Sequence, residues 1–151
     1  MTLDKLIGKG LQREPADAAE IARFLGKVST KLQDARNTAI SPDSRFDIAY
    51  EALLQLGLAA LRAHDLRPDS RGGHHVLALQ TLEKTIGYPR ENIRLVDTFR
   101  RQRAAGLYDG SFEPSEAEVA ALLDAAVDVR KTLETWLANH RPQLLDGEPK
   151  T

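Results

Sequence analysis

An arginine-rich stretch near the middle of the chain has the side chains best suited to holding an anion. Arg100-Arg101-Gln102-Arg103 is followed, after four residues, by Tyr108-Asp109-Gly110. A guanidinium group offers a planar fork of N–H donors that matches a phosphate or a carboxylate, and a tyrosine hydroxyl can donate to a phosphate. These residue types predict an anion or phosphate site. Its candidate residues are Arg100, Arg103, Tyr108, Asp109, His74 and His75.

Arg103 is the arginine of this stretch that most needs an explanation. At about 100° per residue, it falls between Val96 and Phe99 when the predicted helix is viewed along its axis. An arginine in the middle of an apolar face is costly unless its guanidinium is paired or reaches a cleft. The alternatives to an anion site are that the helix ends before Arg103, that the side chain extends to solvent, or that it pairs with a carboxylate such as Asp109.

Two adjacent histidines follow a pair of glycines in Gly72-Gly73-His74-His75. Neighbouring helical residues point about 100° apart, and neither histidine has an acidic residue three or four positions later. The pair therefore predicts no metal site, and we expect no cofactor. In the first turn of a helix, free backbone N–H groups and a histidine can hold a phosphate together. The alternative is a capping or packing role.

These candidates must be positioned by helices, because apolar residues recur at helical spacing almost throughout the chain. Five helices are predicted, beginning near Pro15, Ser41-Pro42, His74, Glu91 and Ser115. Ser41 is a capping residue followed by a proline, which suits the first helical position. Ser115 and Glu118 have the spacing of a capping box. The start signals are therefore strongest for the second and fifth helices.

The apolar stripes of these helices predict how they pack. The first helix has the stripe Ile21, Leu25, Val28, Leu32 and Ala35, and the fifth has Val119, Leu122, Ala126, Val129, Leu133 and Trp136. The second helix is apolar around most of its girth from Phe46 to Leu61, so we expect it at the centre. Short connections favour antiparallel neighbours. The sequence therefore predicts an all-α, antiparallel up-and-down bundle of four to five helices, with no strand, forming one domain over residues 1–151 with flexible ends at 1–14 and 142–151.

The composition is that of an ordinary globular protein, with 42% hydrophobic and 28% charged residues, which argues against disorder. The chain has no cysteine, and this excludes a disulfide framework and a cysteine nucleophile. The first residues lack the apolar core of a signal peptide, and no apolar run has the length of a bilayer span. We therefore expect a cytoplasmic protein that does not enter a membrane.

The net charge of −1 conceals an uneven distribution along the chain. Residues 62–103 carry nine positive and five negative side chains, a net of +4, whereas residues 104–151 carry four and nine, a net of −5. A basic middle segment attracts anionic ligands such as a phosphodiester. The alternative is that basic and acidic helices neutralise one another within the fold or across a dimer.

The stretch from Arg100 to Gly110 resembles the arginine-rich turn of a bacterial subgroup of HEPN (higher eukaryotes and prokaryotes nucleotide-binding) domains, which reads roughly Arg-Arg-x-Arg-Asn-x-x-x-Tyr-Asp-Gly. Phe46–Leu54, Leu61–His64 and Gly72–His75 also resemble that subgroup, and the similarity covers about residues 17–138. The resemblance implies a helical bundle, a homodimer, RNA or a nucleotide as the ligand, and a toxin–antitoxin or defence system with an antitoxin-like partner protein.

Two positions depart from the family's pattern. Active members have a histidine five positions after the motif arginine, where this chain has Tyr108, and an asparagine commonly follows that arginine, where this chain has Ala104. Family ribonucleases are thought to cleave without metal, with the histidine assisting attack by the RNA 2′-hydroxyl. Tyrosine has an unperturbed pKa of about 10 and is a poor base at neutral pH. The resemblance therefore implies binding without ribonuclease activity, and no catalytic residue is assigned.

Three functional hypotheses follow from the sequence. The first is a nucleic-acid or nucleotide-binding module with Arg100, Arg103 and Tyr108 lining the anion site. The second is a non-catalytic helical interaction or dimerisation protein in which Arg103 is part of a structural ion pair. The third is an active ribonuclease that takes its histidine from elsewhere in the chain. The alternative to a ligand-binding Tyr108 is a packed aromatic residue with its hydroxyl satisfied.

Overall fold

The computed structural model describes residues 2–69 and 74–146, apart from the side chains of His74 and His75. Seven α-helices lie in this part of the chain: α1 (Leu3–Leu6), α2 (Ala18–Ala35), α3 (Pro42–Arg62), α4 (His74–Gln80), α5 (Leu82–Ile86), α6 (Arg90–Asp109) and α7 (Glu116–His140). Two short strands, β1 (Leu11–Arg13) and β2 (Leu66–Pro68), and a 3-10 turn at Pro142–Leu145 complete the order. The predicted all-α helical bundle is confirmed.

Helix α3 is the centre of the bundle, as its broad apolar surface predicts. It packs against α2, α4, α5, α6, α7 and β2. Neighbouring residues specify where α3 begins. The Ser41 side chain accepts a hydrogen bond from the Ser44 N–H, and Pro42 is the first helical residue. Because α3 contacts most of the other elements, its position determines where those elements place their side chains.

Helices α2 and α7 flank α3 and bury the stripes that the sequence predicts. The stripe of α2 is buried from Ile21 to Ala35, although the helix begins at Ala18 with Asp17 as its cap, later than the predicted start near Pro15. In α7, the capping box of Ser115 and Glu118 is formed in both directions. The capping box predicted for the fifth helix is therefore formed, whereas the first helix starts at the Asp17 cap and not near Pro15.

The amino-terminal segment differs from the predicted flexible end. Strand β1 pairs antiparallel with β2, and Leu11 lies opposite Pro68. Leu11 is fully buried in a second, smaller apolar cluster with Leu54, Leu61, Leu66 and Ala78. Three-residue strands are too short to show an alternating pattern, so the sequence carries no strand signal here. Burial of Leu11 is what holds this segment against the bundle.

Two further elements differ from their predictions. The helix expected over His74 to Ile86 is divided into α4 and α5 at Thr81, whose hydroxyl donates to the Leu77 carbonyl at 2.5 Å. At the carboxyl end, where a flexible end was expected from residue 142, a 3-10 turn packs against α2 and buries Leu144. The second difference depends on contact with α2, which local sequence signals do not contain.

None of the helices in the described part of the chain combines the length and the hydropathy that crossing a membrane requires.

Candidate anion-binding site

Arg103 lies on the face of α6 that packs against α3, where the helical spacing placed it. Helix α6 continues to Asp109 and ends at Gly110, whose φ of 68° is left-handed, so the helix does not stop before Arg103. The guanidinium carbon of Arg103 lies 5.3 Å from the centroid of the Tyr50 ring. Its Nε lies 3.8 Å from Oδ1 of Asp47. These two groups of α3 are the neighbours of the arginine.

The Nε of Arg103 has an unusual environment. It is buried, and it donates no hydrogen bond to any of the described residues. The contact with Asp47 at 3.8 Å is too long for a hydrogen bond. The rest of the side chain is 33% exposed. The arginine is therefore anchored by the Tyr50 ring and by a long ion pair, while its outer N–H groups reach the surface.

Burial and neighbouring charges shift the pKa values of two groups beside Arg103. Burial raises the pKa of the Asp47 carboxyl, and although Arg103 lowers it, Asp43 and Glu51 add to the rise. Burial also raises the pKa of Tyr50, against the opposing effect of Arg103 and Arg100, so the Tyr50 ring stays neutral. A tight ion pair would hold the pKa of Asp47 below its usual value. Asp47 is therefore an incompletely compensated carboxylate beside an incompletely bonded arginine.

Arg100 and Arg101 share one carboxylate on the same helix. The Nε of Arg100 donates to Asp97 at 2.9 Å, and the Nε of Arg101 lies 3.6 Å from the other oxygen of Asp97. Arg100 is 30% exposed and lies near Arg103, whereas Arg101 is 67% exposed and points outward. One aspartate thus faces two guanidinium groups, which leaves positive charge on this part of α6.

Tyr108 and Asp109 do not join Arg103. Tyr108 is 83% exposed, and five helical residues rotate it by about 140° away from Arg103. The carboxylate of Asp109 instead accepts from Ser111, and hydrogen bonds from Ser111 lower its pKa. An ion pair between Arg103 and Asp109 is therefore not formed. The hydroxyl of Tyr108 is not packed in the core, so the alternative of a buried, satisfied Tyr108 is also wrong.

The structure consequently divides the predicted site into two parts. Arg100 and Arg103 lie on the inner side of α6, next to α3. We call the surface formed by Arg94, Arg101 and Tyr108 the outer face of α6; the rotation between them is at most about 40° at helical spacing. All three side chains of the outer face are exposed. Arg94 has no acidic partner among the described residues, a fact that the sequence pattern did not single out.

Neither described histidine lies beside these arginines. The Nε2 of His64 is 2.6 Å from the Thr85 carbonyl oxygen, and its ring packs on Trp136 at 4.6 Å between centroids. The ring of His140 also stacks on Trp136, with 4.6 Å between the ring centroids. Both histidines therefore make contacts within the fold, away from the arginines of α6. Helix α4 begins at His74, but the side chains of His74 and His75 lie outside the described residues, so their phosphate role stays a prediction.

The most thoroughly bonded arginine is one that the sequence analysis missed. Arg62, at the end of α3, has a side chain only 3% exposed. Its Nε donates to the Glu20 carboxylate at 3.0 Å, and its Nη atoms donate to the carbonyl groups of Glu14, Pro15 and Leu66. Because Arg62 ends a helix that is apolar around most of its girth, the cost of burying a charge would have identified it. Arg62 joins α3 to α2 and β2 and is structural.

Within residues 2–69 and 74–146, no three histidine, aspartate or glutamate side chains are grouped as metal ligands. Comparison of the chain with protein-family models, with curated proteins and with solved structures gave no match. The resemblance to HEPN domains therefore stays a prediction from the residues quoted above.

Proposed function

We propose that this protein is a non-catalytic RNA-binding helical domain that holds the phosphodiester backbone on the outer face of α6. One observation carries the proposal: Tyr108, 83% exposed, extends from the last turn of α6 in line with Arg101 and Arg94. An exposed aromatic ring on the same helix face as guanidinium groups suits the stacking of an unpaired base while the backbone is neutralised. A tyrosine kept only for packing would be buried.

The position of α6 in the bundle supports this use of the helix. Val96 and Phe99 are the buried residues of its twenty, and eight residues of the helix, Arg94, Arg101 and Tyr108 among them, are exposed. Arg90, which precedes the outer face, is occupied by Glu83 through two hydrogen bonds of 3.0 and 3.1 Å. Arg94 has no such partner, and Arg101 has only the shared Asp97 at 3.6 Å. The cations available for phosphate contacts are therefore Arg94 and Arg101.

The inner arginines extend the same site. Arg103 presents its outer N–H groups beside Arg100, and Asp47 is the carboxylate nearest to it. A phosphate that reaches the edge of α6 would compete with Asp47 for this guanidinium. Asp47 is 55% exposed and lies 3.8 Å from Nε of Arg103, too far for a hydrogen bond, so Asp47 weakens the site without closing it.

Binding without cleavage follows from the side chains at the site. The outer face offers a tyrosine, which is a poor base at neutral pH, and the contacts of His64 and His140 are with Trp136 and its surroundings. Incubation of the pure protein with a tRNA pool in the absence of metal tests this part. Cleavage that survives purification and is lost in His74→Ala or His75→Ala would establish the ribonuclease hypothesis instead.

The biological setting of the proposal comes from the resemblance alone. It comprises RNA or a nucleotide as the ligand, a toxin–antitoxin or defence system, an antitoxin-like partner and a homodimer. Copurification of the chain with the product of the neighbouring gene would test the partner, and the RNA-binding test below does not depend on it.

The experiment is fluorescence anisotropy of labelled single-stranded RNA over a salt series from about 50 to 200 mM. We expect wild-type affinity to fall steeply with salt, and Arg101→Ala or Arg94→Ala each to reduce the slope of log K against log salt by about 1. Tyr108→Ala should weaken binding by about 1–3 kcal/mol per stacked base without changing the slope. Arg13→Ala, an exposed arginine of β1, is the matched control. Absence of binding, or affinity independent of salt, would overturn the proposal.

A second candidate function is favoured by two exposed leucines. Leu95 is 47% and Leu107 is 63% exposed, and Leu107 continues the side of α6 that includes Val96 and Arg103. Such residues on a sparsely buried helix fit self-association. Sedimentation velocity of wild type and Leu107→Ser decides this candidate. A monomer at all concentrations excludes it, and a dimer abolished by Leu107→Ser supports it.

A further inference from the structure

A groove on another part of the surface, between α2 and α3, has the features of a ligand site. Its volume is about 540 Å³, within the range of roughly 300–1,000 Å³ typical of small-molecule sites. Arg23, Lys27 and Lys31 of α2 and Glu51 and Gln55 of α3 form its walls, and Gly26 lies between them. A smaller cavity of about 230 Å³ continues past Arg23, Lys27 and Gln55 toward Phe24. These residues lie outside the α6 site, although Glu51 adds to the rise in the pKa of Asp47 there.

Gly26 is the first feature that packing within the chain does not explain. It lies inside α2, where a glycine costs about 1 kcal/mol relative to alanine. A Cβ at this position would meet no atom within 4 Å, and its φ is not left-handed. Neither a close contact nor a special backbone conformation therefore requires glycine. Its effect is to leave the groove open beside the helix backbone.

The cations of the groove are the second feature. Arg23 and Lys27 lie on successive turns of α2, are exposed, and have no acidic partner among the described residues. Lys31 is occupied by Glu51 at 3.4 Å. The carboxylate of Glu20, at the far end, accepts from Arg62 and Arg67 and does not neutralise Arg23. A pair of uncompensated cations therefore faces the groove where the two cavities meet.

Gln55 is the third feature, and it faces the same place. Its amide oxygen is buried and accepts no hydrogen bond from the described residues, although the side chain lines both cavities. Leaving a buried acceptor unsatisfied costs about 1–3 kcal/mol. Rotation of the terminal amide toward the groove would satisfy this oxygen if a bound molecule supplied a donor.

We propose that the α2–α3 groove binds a small organic phosphate that also carries a hydrogen-bond donor. The phosphate would lie between Arg23 and Lys27, where two cations on one helix face can share it. The donor, an amino or hydroxyl group of the same molecule, would reach the amide of Gln55. Gly26 lets the body of the ligand approach the helix. The site is independent of RNA binding on α6.

The test is calorimetric titration with adenosine monophosphate, ribose 5-phosphate and inorganic phosphate as separate probes. We expect at least one organic phosphate to bind, and Lys27→Glu and Gly26→Leu each to weaken it by about tenfold or more. Gly26→Leu places its side chain in open space, so thermal unfolding should show an intact fold. Lys9→Glu, with the same charge change on an exposed lysine outside the groove, should leave binding unchanged.

The variant Gln55→Met tests the role of the Gln55 amide separately from that of the cations, because it keeps the length of the side chain and removes the amide. We expect weaker binding of the organic phosphate and unchanged binding of inorganic phosphate. Preference for adenosine monophosphate over ribose 5-phosphate assigns the donor to the base, and equal binding assigns it to the sugar. The proposal is overturned if no organic phosphate binds, if Gly26→Leu has no effect, or if inorganic phosphate binds as tightly as both. Arg101→Ala should not alter the result, which keeps this site distinct from the α6 face.

Discussion

Arg103 of α6 lies over the ring of Tyr50 of α3, with its guanidinium carbon 5.3 Å from the ring centroid. The tyrosine is 3% exposed, and burial raises its pKa, so the arginine meets a neutral, electron-rich ring. A cation–π contact of this kind can hold a charge on an apolar helix face without a hydrogen bond at Nε. This relationship explains how an arginine is accommodated where α6 packs on α3.

The first prediction concerns this contact. Replacing Arg103 with alanine removes the cation–π contact and the aliphatic stem, and should lower the free energy of unfolding by about 1–2 kcal/mol. Arg103→Met keeps the stem and should lose less. Urea unfolding measures both. If the RNA affinity of Arg103→Ala equals that of wild type while its stability falls, Arg103 has only a structural role.

The second prediction is a pH dependence at Asp47. Its folded-state pKa is raised, mainly by burial, so the folded protein holds this proton more tightly than the unfolded chain. Stability is then lost as pH rises above the usual aspartate pKa of about 3.9. Asp47→Asn should lack this loss and be more stable than wild type at neutral pH, by less than about 1 kcal/mol because the group is partly exposed.

The same Asp47→Asn variant should bind RNA more tightly, because the carboxylate nearest to Arg103 is removed. Unfolding curves at pH 3 to 7, about the window in which carboxylates titrate, give the stability part. Anisotropy gives the binding part. A variant that is less stable than wild type at neutral pH would show that the Arg103–Asp47 ion pair is a net stabilising contact.

The third prediction concerns the buried Arg62. Its partner Glu20 has a side chain only 16% exposed, so Arg62→Met would leave a mostly buried carboxylate with Arg67 as its remaining basic partner and would remove a donor from three carbonyl groups. We expect a loss of about 3–5 kcal/mol in the free energy of unfolding. Arg90→Ala, which breaks a fully exposed pair with Glu83, is the matched control and should unfold with wild-type stability. A small effect of Arg62→Met would mean that the chain relaxes to hydrate Glu20.

The fourth prediction contrasts two helical glycines. A Cβ on Gly57 would lie 2.6 Å from the carbonyl oxygen of Ala78 and 2.9 Å from its carbon, whereas a Cβ on Gly26 would meet nothing within 4 Å. Gly57→Ala must push α4 away from α3 and should destabilise the protein by about 1–3 kcal/mol. Gly26→Ala should stabilise it by up to about 1 kcal/mol. Thermal unfolding of the two variants side by side is sufficient, and equal effects would contradict the close approach of α3 and α4.

The starts of the helices were the part of the fold that could best be predicted from the sequence. Ser41 before Pro42 and the Ser115–Glu118 box act within one turn of backbone, so the residues that decide the outcome are adjacent in sequence. The stripe from Ile21 to Ala35 is equally local, since one helix face is read from spacing alone. The central place of α3 followed from the width of its apolar surface.

The candidate site was less open to prediction. The helical spacing correctly placed Arg103 on the packed side of α6. The same spacing puts Tyr108 on a different side of the helix, although the motif suggested that both residues belong to one site. The neighbours of Arg103 belong to α3, more than fifty residues earlier. Asp47 and Tyr50 could not be chosen over Asp109 until the relative rotation of α3 and α6 was known.

Local backbone chemistry in this sequence is sufficient for the helices, their caps and their apolar faces, because each depends on residues within a few positions of one another. The remaining features depend on segments distant in the chain: β1 paired with β2 over a buried Leu11, Arg62 enclosed by Glu20 and three carbonyl groups, and the open groove beside Gly26. Each is decided by how whole helices and strands pack. The free energy of this packing comes from the burial of groups that are distant in the sequence, so no short stretch of sequence specifies it.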